Sequence, residues 1–383
     1  MFNRICNPLK SNSFFLFGAR GTCKSTLLHN LLKKRTLFYD LLDEEIFDRL
    51  LRQPQILEEV CQQGRYEWIV IDEVQRLPKL LNVVHRMIEK KGQKFALTGS
   101  SARKLKRGSA NLLAGRAFVN HLFPLTSQEM AKAFDLVDVL HWGSLPKVIN
   151  LKKNEEKKAY LRSYSLAYVK EEIQAEQIIR KLEHFREFLS VAAQMSGKLI
   201  NFSAIAREVG APVPTVQSYY QILEDTYLGF LLPHFHRSIR KSQIEAPKFY
   251  FFDNGVKKAL EGSLESVPAP GTSSFGELFE AFVIQEVDRL NQYFAKDFRL
   301  SFYRTKAGSE VDLILSKGRQ IFLIEIKSSE RVDEVEARQL ARLCKDFGVS
   351  AKAYYVSRDT FERRIEGVHC LNWQKFLIEF KKL

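Results

Sequence analysis

The chain has 383 residues, enough for two or three domains, and its 45% hydrophobic and 12% aromatic content, with 29 Phe, excludes a disordered or fibrous polymer. Net charge is +14 and the pI about 9.4, which favours a polyanionic partner (nucleic acid, nucleotide or an acidic membrane surface) without choosing among them.

The predicted elements begin with an alternation of strands and helices. Residues 13–17 read as a short apolar strand, 24–34 as a helix, 37–40 as a strand, 43–51 and 56–63 as helices, and 68–72 as a buried strand. A helix over 79–90 and strands over 95–99 and 117–122 continue the pattern. Such βαβ alternation predicts a parallel sheet with helices on both faces. From Lys90 to Gln128 no acidic residue occurs, whereas Arg103, Lys104, Lys106, Arg107 and Arg116 fall inside, so this stretch is a solvated basic face or a nucleic-acid surface.

Residues 136–150 break the pattern, and 152–187 read as long, charged helical segments with an exposed start at 154–158. A short helix at 201–210 and a second at 211–223, with a Gly210 turn between them and Pro214 in the second helix's first turn, spell helix-turn-helix. Val216, Tyr220 and Leu223 share its inward face, leaving Thr215, Gln217, Ser218 and Gln221 outward. Strand-like runs at 230–235 and 248–252 resemble a wing carrying Arg237, Arg240 and Lys241, so the module suits DNA or protein contact. His234 and His236 lack further ligands nearby and read as structural. After a Ser/Pro/Gly-rich boundary at 262–274 come a helix at 275–290, strands at 300–304, 310–315 and 320–326, a helix at 334–347 and a last strand at 352–356. The expected domains are 1–135, 136–190 as a helical linker or lid, 191–265 and 272–383.

Gly18-Ala-Arg-Gly-Thr-Cys-Lys-Ser25 lies between a strand and a helix, the context a phosphate-binding loop needs. Backbone N–H groups from Gly18, Arg20, Gly21, Thr22 and Cys23 through Thr26 are expected to surround the phosphates of ATP, with Lys24 on the β- and γ-phosphates and Ser25 on Mg²⁺. Cys23 stands where a second glycine is usual, so its side chain should crowd the phosphates or strain the backbone. The strand Trp68-Ile-Val-Ile-Asp-Glu73 ends in two carboxylates: Asp72 for the Mg²⁺, Glu73 to polarise the attacking water. Ser100 is either a γ-phosphate sensor or a helix cap, and Arg116 either a finger acting on a neighbouring subunit, which requires a homo-oligomer, or a structural arginine.

The segments Phe17-Gly-Ala-Arg-Gly-Thr-Cys-Lys-Ser-Thr26, Ile71-Asp-Glu-Val-Gln75, Leu97-Thr-Gly-Ser-Ser101, Leu113-Ala-Gly-Arg116 and Phe123-Pro-Leu125 together resemble a prokaryotic family of AAA-type P-loop ATPases with a C-terminal domain of unknown function. Gly276-Glu-Leu-Phe-Glu280, Tyr303-Arg-Thr-Lys-Ala-Gly-Ser-Glu-Val-Asp312 and Ile324-Glu-Ile-Lys-Ser328 resemble that C-terminal half. The resemblance implies an α/β fold: a P-loop parallel sheet with an additional strand and a catalytic glutamate, a winged helix, and a restriction-endonuclease-like C-terminal domain. Cys23 departs from the family pattern.

Asp312, followed by Glu325-Ile-Lys327 on the next strand, has the spacing by which a hairpin brings two carboxylates and a lysine together. In a nuclease, Asp312 and Glu325 would bind Mg²⁺, Lys327 would orient a water, and Glu280 on the preceding helix would complete the site. Asp-Glu-Lys on neighbouring strands also occurs as an inert salt-bridge cluster, since a fold does not fix function. Cys6, Cys23, Cys61, Cys344 and Cys370 show no CxxC spacing, and no apolar run approaches the ~18 residues of a membrane span, which fits a cytoplasmic protein with no membrane partner.

Overall fold

The computed structural model describes residues 2–33, 35–101, 113, 115–175, 182–236, 245–305, 308–348 and 350–383. Arg103, Lys104, Lys106, Arg107, Arg237, Arg240 and Lys241, on which the basic surface and wing were expected, lie outside the described residues. The chain divides into two compact units: residues 1–129 with 145–147 and 221–228, and residues 130–144 with 148–220 and 229–383. The described cysteines are all free.

The first unit is built on a five-stranded parallel sheet in the order β2-β3-β4-β1-β5. Its strands are β1 (Ser13–Phe17), β2 (Thr36–Asp40), β3 (Trp68–Asp72), β4 (Lys94–Gly99) and β5 (Ala117–His121). β1 and β3 are apolar runs buried along nearly their whole length, as central parallel strands require. β4 lies between them, so the loop after β1 and the carboxylates after β3 flank one added strand. Helices α1 (Lys24–Leu31), α2 (Glu44–Arg52), α3 (Ile56–Gln62) and α4 (Leu80–Lys91) connect the strands. A core of Phe15, Phe17, Ile69, Ile71, Phe95 and Leu97 packs against Leu80, Leu81 and Val84 of α4. The expected helix over 24–34 ends instead at Leu31, three residues before Lys34.

In the second unit, α5 (Leu136–Trp142) and α6 (Asn154–Ala175) carry the charged stretch. Lys157, expected on an exposed start, is buried; its ammonium meets Asp138 at 2.6 Å and lies over the Trp142 ring. Helix α7 (Leu182–Gln194) follows. Helices α8 (Phe202–Glu208) and α9 (Val213–Asp225) have the expected turn, with Gly210 at φ 63. Val216, Tyr220 and Leu223 are buried while Gln217 and Gln221 are exposed, as the periodicity predicts. Thr215 and Ser218 are half-buried.

The strand expected over 230–235 is shorter. β6 (Gly229–Leu232) pairs antiparallel with β7 (Lys248–Phe251) and stops before Pro233, which has no N–H to donate. The following residues leave the hairpin for another sheet: Phe302 N–H donates to Pro233 O and Phe235 N–H to Phe302 O. His234 packs edge-on against Phe302.

That sheet has the order β12-β13-β11-β10-β9-β8. Its strands are β8 (Arg299–Arg304), β9 (Glu310–Lys317), β10 (Gln320–Ile326), β11 (Ala351–Ser357), β12 (Arg363–Ile365) and β13 (Val368–Asn372). β8, β9 and β10 run antiparallel in succession, while β10, β11 and β13 are parallel. Helices α10 (Asn254–Leu260), α11 (Ser273–Tyr293), α12 (Glu334–Asp346) and α13 (Trp373–Phe380) complete the unit. The last strand is thus not 352–356: β12, β13 and α13 follow it. β12 has three residues, two of them exposed Arg, and so carries no alternating apolar pattern to read.

Candidate functional site

The loop after β1 is shaped by glycine. A Cβ at Gly18 would lie 2.1 Å from Leu122 O, so only glycine lets these backbones approach. Gly21 has φ 81. Cys23 has φ 68 and ψ 41, a left-handed conformation that costs an L-residue about 1–2 kcal/mol. Its thiol is exposed. Of the two expected consequences of Cys23, backbone strain is therefore present.

Lys24 begins α1 and is buried. Its ammonium folds onto the loop, donating to Gly18 O at 2.9 Å and Ala19 O at 3.3 Å. Thr22, also buried, donates its hydroxyl to Ala19 O at 2.9 Å. Arg20 and Thr26 are exposed, Gly21 and Ser25 partly so. Ser25 donates its hydroxyl to Asp72 Oδ2, and Thr98 donates to Asp72 Oδ1. Both oxygens of half-buried Asp72 are thus satisfied, which offsets the partial desolvation of a charge at a strand end.

Glu73 also has left-handed backbone, φ 56, and its N–H donates to Thr98 Oγ1 at 3.1 Å. Its carboxylate accepts from the Gln75 amide and from Ser100 Oγ at 3.0 Å. Lys24, Ser25, Asp72, Glu73 and Ser100 therefore gather around the carboxyl ends of β1, β3 and β4, where parallel sheets place their ligands. Arg116 is ion-paired with Glu89 of α4, both partly exposed. Thr98 and Gln75 escaped the sequence reading, although both lie inside segments that carried the resemblance. A hydroxyl, Thr98, near the end of a largely apolar strand and two residues before Ser100 was the available signal.

Arg4 was also missed. It donates to Thr22 O at 2.9 Å and Phe123 O at 2.6 Å and pairs with buried Glu129 at 3.0 Å, bracing the phosphate loop from behind.

In the second unit, Leu313 and Ile324 are cross-strand partners, so the next step of the β9–β10 register sets Asp312 opposite Glu325. Asp312 is buried and accepts Ile326 N–H at 2.7 Å. Glu325 and Lys327 point to one face and pair at 2.7 Å. Together with Glu310, Glu336 and Gln339 they line a pocket of about 330 Å³. Glu280 of α11 stands beside them, accepting from Tyr250 at 2.6 Å and facing Lys248 at 3.5 Å. Burial raises the Asp312 pKa well above the ordinary carboxyl range, and Glu325 and Glu280 add to this against Lys327 and Lys248. Burial also raises that of Glu325, against the pull of Lys327. Lys248, Glu310 and Glu336 were not singled out from sequence; Lys248 comes from a hairpin more than sixty residues upstream.

These two arrangements define the class: a P-loop nucleotide-binding domain of AAA type joined to a mixed α/β C-terminal domain. Residues 10–131 match the family profile of an AAA domain, 133–266 a domain of unknown function (DUF8612), and 275–376 a domain of unknown function (DUF4143). The chain is an AAA-type P-loop protein with a C-terminal DUF4143 domain. An uncharacterized protein of Mycobacterium tuberculosis is 25% identical over 263 residues, covering 68% of this chain and 58% of its own length. The chain thus spans little more than half of that relative. An uncharacterized protein of Methanocaldococcus jannaschii is 21% identical over 380 residues, covering 91% of this chain and 83% of its own. Among solved structures, replication initiator DnaA bound to AMPPCP and single-stranded DNA matches at 17% identity and a TM-score of 0.27, over 56% of this chain and 82% of that one. McrB AAA+ hexamers of Thermococcus gammatolerans with bound McrC match at 11% identity and a TM-score of 0.26, over 70% and 78%. Among the described residues no helix is long and apolar enough to cross a membrane.

Proposed function

We propose that the N-terminal site binds MgATP and hydrolyses it, making the chain an ATP-driven switch. One observation carries this reading: Ser25 of the loop is bonded directly to Asp72 of the neighbouring carboxylate pair, with Lys24 and Glu73 beside them. Hydroxyl and carboxylate oxygens are the hard donors Mg²⁺ prefers, so Ser25 and Asp72 suit it. Bound there, the ion would neutralise charge on the β- and γ-phosphates. Backbone N–H groups of residues 18–26 hold the phosphates, and Lys24 exchanges its bonds to Gly18 O and Ala19 O for phosphate oxygens. Glu73, steadied by Ser100 and Gln75, accepts a hydrogen bond from the attacking water. Arg116, released from Glu89, serves a neighbouring subunit's nucleotide in a homo-oligomer.

Phosphate release and nucleotide binding, measured for wild type, Lys24→Ala and Glu73→Gln, test this. Wild type should release phosphate, Glu73→Gln should bind without releasing it, and Lys24→Ala should do neither. Binding with no wild-type release would instead define a non-hydrolysing nucleotide scaffold.

We further propose that α8, α9 and the β6–β7 hairpin form a winged helix contacting DNA, and that the C-terminal pocket is a restriction-endonuclease-like metal site. The convergence of Asp312, Glu325 and Lys327 on one pocket supports the second point. Oxygen donors from Asp312 and Glu325 fit Mg²⁺ or Mn²⁺, with Lys327 placed to orient a water. Plasmid cleavage with added Mn²⁺, lost in Asp312→Asn, is the expected result; an intact plasmid under all metals would leave the pocket a salt-bridge cluster.

A further inference from the structure

The carboxylates around Asp312 outnumber the cations facing them, and those cations are not equivalent. Lys327 follows Glu325 on one strand face and keeps 34% of its side chain exposed. Lys248 arrives from β7, outside the 275–376 domain, and is only 6% exposed. Its ammonium lies 2.5 Å from Glu310 Oε1 and 3.5 Å from Glu280 Oε1. Two residues along β7, on the same face, Tyr250 donates to that Glu280 oxygen at 2.6 Å. One end of the cluster is thus furnished by the hairpin, with an ammonium and a phenol. Asp312 and Glu325 form the other end.

Burial of an ammonium is costly unless it is closely paired. Burial works to lower the Lys248 pKa, yet Glu280, Glu310 and Asp312 outweigh it and keep the charge in place. A divalent ion bridging Glu280 and Glu310 would need their oxygens at about 2.0–2.6 Å, in the space the ammonium fills. The two cannot share it.

We propose that Lys248 is a built-in cation that takes the second cation position of this site, limiting it to one divalent ion at Asp312 and Glu325. This rests on reading Asp312 and Glu325 as metal ligands. Where two ions jointly clamp a phosphodiester, each balances charge on a different oxygen. Here the hairpin supplies one of those charges permanently, so loading the site takes a single ion.

The test counts Mn²⁺ bound by the full chain, by calorimetry and by the electron paramagnetic resonance signal of free Mn²⁺. Wild type and Lys248→Arg should bind one ion; Lys248→Met should bind two. Lys248→Gln, which keeps a donor for Glu310 but no charge, should also bind two, so the count does not rest on the folding of one variant. Asp312→Asn should lose the wild-type ion, and Lys248→Met/Asp312→Asn should retain one. Two ions in wild type, or one ion at unchanged affinity in folded Lys248→Met or Lys248→Gln, would overturn the role given to Lys248 while leaving the metal site standing. No ion in wild type would overturn the metal reading and this inference with it.

Discussion

Gln75 donates its side-chain amide to Glu73 two residues earlier, and the same nitrogen reaches Ser100 Oγ at 3.0 Å. The Gln75 side chain is buried, and its own oxygen has no hydrogen-bond partner among the described residues. Gly99 makes room for it, since a Cβ there would fall 2.6 Å from that oxygen. The opposite amide orientation would aim an oxygen at the carboxylate, so hydrogen-bond chemistry selects this one. Gln75 therefore fixes a carboxylate whose backbone is already held at φ 56. Such local strain persists only where surrounding contacts enforce it.

Gln75→Ala should consequently lower ATP turnover on the order of 10–100-fold, the scale of misplacing a reacting group by about an ångström. Nucleotide affinity should stay within about twofold, because the bond acts on Glu73 rather than on the phosphates. Parallel measurement of phosphate release and equilibrium binding checks this. An equal loss in both would make Gln75 a packing residue.

Cys23→Gly should stabilise the protein and tighten nucleotide binding. The substitution relieves a left-handed conformation worth about 1–2 kcal/mol but returns some freedom to the unfolded chain, about 0.5–1 kcal/mol. The net expectation is about 0.5–1 kcal/mol, visible as a small rise in Tm. Removing an exposed thiol from the phosphate loop should also increase MgATP affinity. A lower Tm together with weaker binding would mean that the thiol, not the backbone, matters at this position.

The sequence was legible wherever local chemistry dictates local structure. β1 and β3 are apolar runs, Asp72 and Glu73 lie at the end of β3 where desolvation alone would penalise them, and Ser25 opens the helix that follows the glycine loop. Asp312 and Glu325 were legible as a pair because hairpin register is a local property. Lys248 was not: its ammonium is drawn to Glu280 and Glu310 from another strand pair, and nothing in Pro247-Lys-Phe249 marks it as buried. Arg4 was hidden for the same reason, its partners lying 18 to 125 residues away. β12 was lost because a short, charged edge strand carries no periodic signature; β13, five mostly buried residues between β12 and β11, is too short a run to show one.

Asp312→Asn should stabilise the metal-free protein at neutral pH. Burial, reinforced by Glu325 and Glu280, raises the Asp312 pKa well above its value in the unfolded chain. Below about pH 4 both states hold the proton and the group costs nothing. As pH rises toward the raised value, only the unfolded chain ionises freely, and stability is lost. Asn keeps an oxygen for Ile326 N–H without the charge. Its advantage should therefore grow as pH rises above about 4 and vanish below it in thermal melts. Added Mn²⁺ should raise the wild-type Tm and leave the variant unmoved; a variant less stable than wild type at neutral pH without metal would contradict the assignment.

Arg4 and Glu129 test whether the phosphate loop is braced from outside itself. Their ion pair is 7% and 0% exposed, and the same guanidinium reaches Thr22 O and Phe123 O. Glu129 is further held by the N–H groups of Ile5 at 2.7 Å and Thr126 at 2.9 Å. Removing one partner of a buried pair costs about 3–5 kcal/mol, largely because the other charge is stranded. Arg4→Ala should therefore be strongly destabilising, whereas Arg4→Ala/Glu129→Gln should recover part of the loss. If bracing is the role of Arg4, both variants should bind MgATP more weakly even at temperatures where each is fully folded, because Thr22 loses its support in either case. Denaturation and nucleotide titration separate the two effects: the double variant should be the more stable of the two, yet bind no better than the single.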